Sequence, residues 1–196
     1  MELVIVNTGC ANIASVRFAI ERLGYAVQVS DDAAVIKDAD KVFLPGVGSA
    51  GAAMSQIKAK GLDKILPSLT QPVLGICLGM QLQTAFSEEG DVPCLGMIPT
   101  RVNKLQVGNL RLPHMGWNQI RVTQNHALFD GIANDSYFYF VHGFAAPVSD
   151  VTLASCDYGQ AFSASIGKDN FMGVQFHPER SGTNGARLLR NFIEQC

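Results

Sequence analysis

Charge is scarce in this chain. Only 16% of its 196 residues are Asp, Glu, Lys or Arg, against about 25% in an average soluble domain. The 15 basic and 17 acidic residues nearly cancel, to a formal charge of −2, so no basic surplus draws nucleic acid or an anionic membrane. Long apolar runs are missing too. Although 47% of the residues are hydrophobic, no stretch approaches the roughly 20 residues of a spanning helix. The five cysteines (Cys10, Cys77, Cys94, Cys156, Cys196) form no C-x-x-C pair, and the four histidines are scattered. That spacing argues against zinc, and the odd count against a disulfide framework; no metal and no cofactor are expected. No basic leader with a small-residue cleavage site precedes Met1-Glu2-Leu3-Val4, so the expectation is a cytoplasmic protein.

What is present is a core-rich chain suited to one domain spanning residues 1–196. Its first ninety or so residues alternate strand and helix signals, as in a mostly parallel sheet flanked by helices. Leu3 to Val6 is a continuous apolar run fit for a strand buried on both faces. Ile13, Val16, Ile20 and Leu23 recur at helical spacing, with Gly24 as the stop. Strands are expected at Tyr25–Val29, Val42–Leu44 and Val73–Cys77, and helices at Ser49–Lys60 and Leu78–Phe86. Beyond Val92 shorter β-like pieces recur: Val102–Val107, Gln119–Val122, Tyr137–Val141, Phe162–Ile166 and Phe171–Gln175. These read as additional mixed or antiparallel strands. A closing helix over Ala186–Glu194 would bury Leu188, Leu189, Phe192 and Ile193 on one face.

Gly75-Ile76-Cys77-Leu78-Gly79 ends the fourth expected strand. It has the form of a nucleophile elbow with cysteine in place of serine. Such a turn needs small residues two positions either side, because a Cβ there would strike neighbouring backbone. The elbow lifts the sulfur clear of the sheet, where a helix N-terminus favours thiolate and a developing oxyanion. The other four cysteines read as small packing side chains. Leu44-Pro45-Gly46-Val47-Gly48-Ser49 joins a strand to a helix and lacks the G-x-x-x-x-G-K-[ST] phosphate pattern. It is a plain turn, a weak anion-binding loop, or half of an oxyanion hole, with Gly46, Val47 and Gly48 on one side and the Leu78 N–H on the other. Gln175-Phe176-His177-Pro178-Glu179 places His177 and Glu179 two residues apart. In an extended segment both point the same way, and Pro178 biases His177 toward extended backbone. A carboxylate so placed can hold an imidazole in one tautomer, the third role in a nucleophile–base–orienter set.

P-G-V-G, G-I-C-L-G-M-Q and H-P-E, in that order, resemble the motifs of the class I, triad-type glutamine amidotransferases, over essentially the whole chain. Within that family N-T-G-C-A-N, P-H-M-G-W-N and Y-F-V-H are similar to segments of the glutaminase subunits of imidazole glycerol phosphate synthases. The resemblance implies a flavodoxin-like α/β fold. It implies that Cys77 attacks glutamine, that His177 and Glu179 complete the triad, and that a thioester is hydrolysed to glutamate and ammonia. It implies that Gln81, Glu89 and the segment His142-Gly143-Phe144 hold the substrate. Where the family more often carries a Ser-Tyr pair, Gly143 and Phe144 offer no hydroxyl, so any contact there comes from backbone.

Free ammonia is mostly ammonium at neutral pH, so a glutaminase is expected to hand it directly to a partner. The resemblance supplies one: a (β/α)8-barrel cyclase subunit that makes imidazole glycerol phosphate and aminoimidazole carboxamide ribonucleotide for histidine biosynthesis. It also places Asn12, Trp117 and Arg180 at the docking face. Read locally, Asn12 also suits a helix cap, Trp117 the core and Arg180 a solvated surface, but the docking face is the favoured reading. Both glycines of the Gly46-Val47-Gly48 loop make a peptide flip cheap, so the oxyanion loop is expected to sit turned away until the partner docks. The competing readings are a free-standing cysteine hydrolase, a binding protein that kept the fold, and a subunit of another amidotransferase.

Overall fold

The computed structural model describes residues 1–196. Its chain runs β1 (Leu3–Val6), α1 (Ile13–Arg22), β2 (Gln28–Ser30), α2 (Ala33–Asp38), β3 (Lys41–Gly46), α3 (Ala50–Ala59), α4 (Leu62–Ile65), β4 (Val73–Cys77), α5 (Leu78–Leu82), β5 (Thr84–Ser87), β6 (Val92–Pro93) and β7 (Ile98–Lys104). It continues through β8 (His114–Gln119), β9 (Arg121–Val122), β10 (Tyr137–His142), β11 (Phe144–Ala145), β12 (Thr152–Asp157), β13 (Ala161–Lys168), β14 (Phe171–Val174) and α6 (Gly182–Gln195). The main sheet has the order β2-β1-β3-β4-β14-β13-β12-β9. Its first five strands are parallel and the last three run antiparallel. The order 2-1-3-4-5 of the parallel part is the flavodoxin-like arrangement. A two-stranded β10-β8 ribbon and a β11-β7-β5-β6 sheet complete the fold.

Strand alternation builds two cores. Leu3, Ile5, Phe43, Leu74 and Ile76 face one side, with Val16 and Ile20 of α1 and Leu188, Leu189, Phe192 and Ile193 of α6. Val4, Val6, Val42, Leu44 and Val73 face the other, with Ala53, Met54 and Ile57 of α3 and Leu62 of α4. Both faces of the central strands are therefore covered, which is why they read as unbroken apolar runs.

Several local expectations differ. The strand expected at Tyr25–Val29 forms only over Gln28–Ser30, and that expected at Val102–Val107 runs over Ile98–Lys104. The helix after the elbow stops at Leu82 rather than Phe86, because Thr84 Oγ1 donates to the Gln81 carbonyl at 2.7 Å and the chain then pairs with β7 as a strand. Among the longer strands, β5, β8 and β12 fall outside the expected set. In β12 the reason is visible: Thr152, Ser155 and Asp157 interrupt its apolar residues, and the buried Thr152 hydroxyl is bonded to Ser163 of β13 at 2.7 Å, so that strand lacks a clean apolar signature.

Candidate active site

The carboxyl ends of β3, β4 and β14 lie side by side. Gly46 is in register with Cys77, and Val174 with Ile76, so the loop after β3, the elbow after β4 and the segment after β14 meet at one edge. That edge is where open parallel α/β sheets bind ligands. An open pocket of about 360 Å³ sits there, lined among others by Val47, Cys77, Gln81, Glu89, His142 and His177.

Cys77 takes φ 54° and ψ −111°, a left-handed conformation rare for a side-chain-bearing residue. Close packing enforces it. A Cβ on Gly79 would lie 1.7 Å from the Leu44 carbonyl oxygen, one on Gly75 2.7 Å from the Gly79 oxygen, and one on Gly46 2.8 Å from the Gly79 nitrogen. Three glycines thus let β3, β4 and α5 touch backbone to backbone beneath the sulfur. Cys77 is 8% exposed. Its sulfur is hydrogen-bonded to the Val141 carbonyl and the Gln175 amide, both at 3.7 Å, and stands beside the His177 ring.

His177 reaches the site differently from the expected extended pair. Its N–H donates to the Tyr139 carbonyl at 2.9 Å, and Pro178–Arg180 then form a 3-10 turn. The turn, not strand alternation, brings Glu179 back, and His177 Nδ1 donates to Glu179 Oε1 at 2.7 Å. The Glu179 side chain is almost fully buried. Burial by itself would lower the imidazole pKa; the nearby Cys77 sulfur and the Glu179 carboxylate outweigh it and raise it to about 10. His177 therefore carries its proton through neutral pH, with Nδ1 committed to Glu179 and Nε2 available on the other side of the ring.

Around the triad, Gln81 is 3% exposed. Its Nε2 donates to the Phe144 carbonyl and to Gln175 Oε1, both at 2.9 Å. Glu89 is half-buried on the pocket wall, and desolvation pushes its carboxyl pKa up. His142 and Gly143 lie on the same wall. The Gly143 carbonyl, however, is taken by the Leu105 N–H at 3.0 Å, and the Phe144 carbonyl receives both Gln81 and His142 Nδ1, each at 2.9 Å. Backbone acceptors of this segment are thus already in use. Leu78 and Gly48 also line the pocket, whereas Gly46 is packed beneath it. The Val47 N–H donates to the Cys10 carbonyl at 2.9 Å and is engaged there.

Asn12 makes no side-chain cap to α1 and lies on the pocket rim with Arg180. Trp117 is 54% exposed rather than core. It packs edge-on against Tyr139, ring centroids 5.9 Å apart, and the Arg180 guanidinium lies 4.9 Å over that same tyrosine. Gln175 was not singled out from the sequence, yet it stands two residues before His177, and strand periodicity alone aims both at one side. His114 and Tyr139 lie within P-H-M-G-W-N and Y-F-V-H, but the motifs by themselves give neither a role.

The family model for "Glutamine amidotransferase class-I" matches residues 4–196. The chain is 56% identical to the imidazole glycerol phosphate synthase subunit HisH of Vibrio cholerae, over 98% of each. It is 55% identical to the protein of that name from Colwellia psychrerythraea, over 97% of this chain and 92% of that protein. Among solved structures, a putative GMP synthase protein from Thermoplasma acidophilum superposes with a TM-score of 0.76 at 18% identity, covering 98% of this chain and 92% of the other. PurLQS from Thermotoga maritima gives 0.72 at 20% identity, over 98% and 97%. Those two share the fold.

Proposed function

The chain belongs to the class I glutamine amidotransferase family and, within it, to the HisH subunits of imidazole glycerol phosphate synthase; on that premise we propose how its residues release ammonia from glutamine. It is the glutaminase subunit of that synthase and serves histidine biosynthesis. The observation that carries the mechanism is the 2.7 Å bond from His177 Nδ1 to Glu179 Oε1 beside the strained Cys77 elbow, in one pocket.

Cys77 attacks as thiolate at the side-chain amide carbon of L-glutamine. The Leu78 N–H and the Gly46-Val47-Gly48 loop then stabilise the tetrahedral oxyanion, each donor by about 3 kcal/mol. Imidazolium His177 gives its Nε2 proton to the departing nitrogen, which leaves as ammonia with a γ-glutamyl thioester on Cys77. Neutral His177 next takes a proton from water, whose oxygen attacks the thioester carbon; glutamate leaves and the thiolate returns. Glu179 keeps Nδ1 protonated throughout, so Nε2 alone exchanges protons. Glu89 and the Oε1 of Gln81, both on the pocket wall, receive the substrate's ammonium group.

The partner subunit is a (β/α)8-barrel cyclase. It docks where Asn12, Trp117 and Arg180 gather, an aromatic anchor with polar neighbours. Because the Val47 N–H is spent on Cys10, the free chain has one half of its oxyanion hole, and docking of the loaded cyclase turns the peptide. Glutamate release is measured for the chain alone and with cyclase plus its nucleotide ligand. A rise of about 100-fold or more on docking is expected from recovering one donor; full activity in the lone chain would refute the gating.

A further inference from the structure

Behind the pocket wall a chain of buried polar groups runs inward from β8. The Phe144 carbonyl can only accept, so His142 Nδ1, 2.9 Å away, must donate to it. The other nitrogen of that neutral ring is then bare and accepts from His114 Nδ1 at 2.9 Å. His114 Nε2, bare in turn, accepts from Asn118 Nδ2 at 3.2 Å. The orientation of the Asn118 amide is itself fixed: its Oδ1 accepts from the Gln119 N–H at 2.8 Å, and its Nδ2 also donates to the Asp157 carbonyl at 2.9 Å. Direction is therefore set at both ends, and a single assignment of protons satisfies every member. Beyond the Phe144 carbonyl the chain continues through Gln81 to Gln175, whose amide meets the Cys77 sulfur.

We propose that His114, which lines no part of the pocket, is a positioning residue for glutamine: by donating to His142 it holds the Phe144 carbonyl and, through it, the Gln81 amide in the arrangement that receives substrate. This rests on the glutaminase reading. His114 is 3% exposed and lies between the rings of Tyr158 and Phe140, at centroid distances of 4.1 and 5.0 Å. Stacking alone would need only an aromatic ring there. The polar edges of His114 matter because a ring without them leaves His142 Nε2 a buried acceptor with no donor. His142 then either keeps that orphan or moves its proton to Nε2 and turns a bare Nδ1 toward the Phe144 carbonyl, repelling it. The tautomer change relieves the buried orphan, and with it Gln81 loses a fixed partner. Burial holds both imidazoles neutral, His114 at about 4 and His142 at about 3, so the chain persists at working pH.

The test compares wild type with His114→Phe, which keeps the stacked ring, and His114→Gln, which keeps a donor and an acceptor. Cys77 is alkylated by a chloroketone analogue of glutamine and, separately, by iodoacetamide. Loss of one buried hydrogen-bonded partner is expected to weaken saturation by the analogue about ten-fold in His114→Phe, to leave iodoacetamide within about two-fold, and to be largely rescued in His114→Gln. Equal saturation of wild type and His114→Phe would overturn the proposal, as would loss of both reactions in parallel, which marks mere structural damage. Should His114→Phe not fold, ¹⁵N spectra of the wild-type chain decide: a proton on His142 Nδ1 and a bare Nε2 are expected, and the opposite tautomer overturns it. Wild type that reacts with iodoacetamide but never saturates with the analogue would instead count against the glutaminase reading itself.

Discussion

The amide of Val47 is bonded to the carbonyl of Cys10 at 2.9 Å, tying the loop after β3 to the segment that leads into α1. Gly48, next in the chain, holds φ +93°, a conformation that only glycine adopts without strain. One backbone donor of the loop is thus engaged elsewhere, on a segment that leads directly into Asn12 at the pocket rim.

Val47→Pro removes that N–H while leaving the Leu78 donor intact. If Val47 serves the oxyanion after docking, kcat of the partner-bound enzyme falls about 100- to 1,000-fold. Glutamate release in the complex measures it; unchanged kcat would assign the donor to another peptide of the loop.

Cys77→Ala is expected to abolish glutamate release. Cys77→Gly removes the sulfur too and also relieves the positive φ, so it should be more stable than Cys77→Ala by about 1 kcal/mol, strain relief being partly offset by unfolded-state entropy. That corresponds to about 2–4 °C in Tm for a chain of this size. Equal melting of the two variants would mean the elbow stores no strain.

Gly79→Ala puts a methyl 1.7 Å from the Leu44 carbonyl oxygen, with backbone on both sides of the clash. A cost of at least about 3 kcal/mol is expected, at the upper end for overpacking, read as a lower denaturation midpoint. Gly143→Ala meets nothing within 4 Å and should leave stability nearly unchanged, so the pair separates elbow packing from a general intolerance of added methyls.

The His177 imidazole is raised from an ordinary 6.5 to about 10. The sign follows from linkage: stability from its charged form is fully present below pH 6.5 and is lost as pH climbs toward about 10. Glu179→Gln removes one of the two groups that hold the proton. The Tm difference between wild type and this variant should therefore shrink across that interval, and a difference independent of pH would contradict the charged pair. Activity of Glu179→Gln should also drop, by about 100-fold or more, because Nδ1 loses its carboxylate.

Trp117→Ala exposes Tyr139 and removes the anchor of the Trp117–Tyr139–Arg180 stack. A hot-spot loss of about 2 kcal/mol or more, near 30-fold in Kd for the cyclase, is expected. Titration calorimetry of the two subunits measures it, and an unchanged Kd would place the docking face elsewhere.

The elbow is legible in the sequence because its requirement is local: glycines at fixed offsets around a cysteine, following an apolar strand. The helical periods of Val16 and Ile20, and of Leu188 to Ile193, were legible for the same reason, each burying one face. His114 was not. Its ring is far in sequence from the residues that enclose it, Phe140 and Tyr158, and P-H-M-G-W-N drew attention to Trp117 instead. Thr84, two residues past Leu82, ended a helix that apolar spacing alone would have extended.

Side-chain chemistry, glycine placement and the position of each central strand along the chain were settled by the amino-acid sequence alone, since each depends on sterics and solvation over a few neighbouring residues. Only the tertiary structure decided how His177 meets Glu179, by a 3-10 turn hung from Tyr139, which proton each buried imidazole keeps, and where the Val47 N–H points. Those outcomes depend on hydrogen-bond partners brought from distant strands, and no local pattern encodes which of them will arrive.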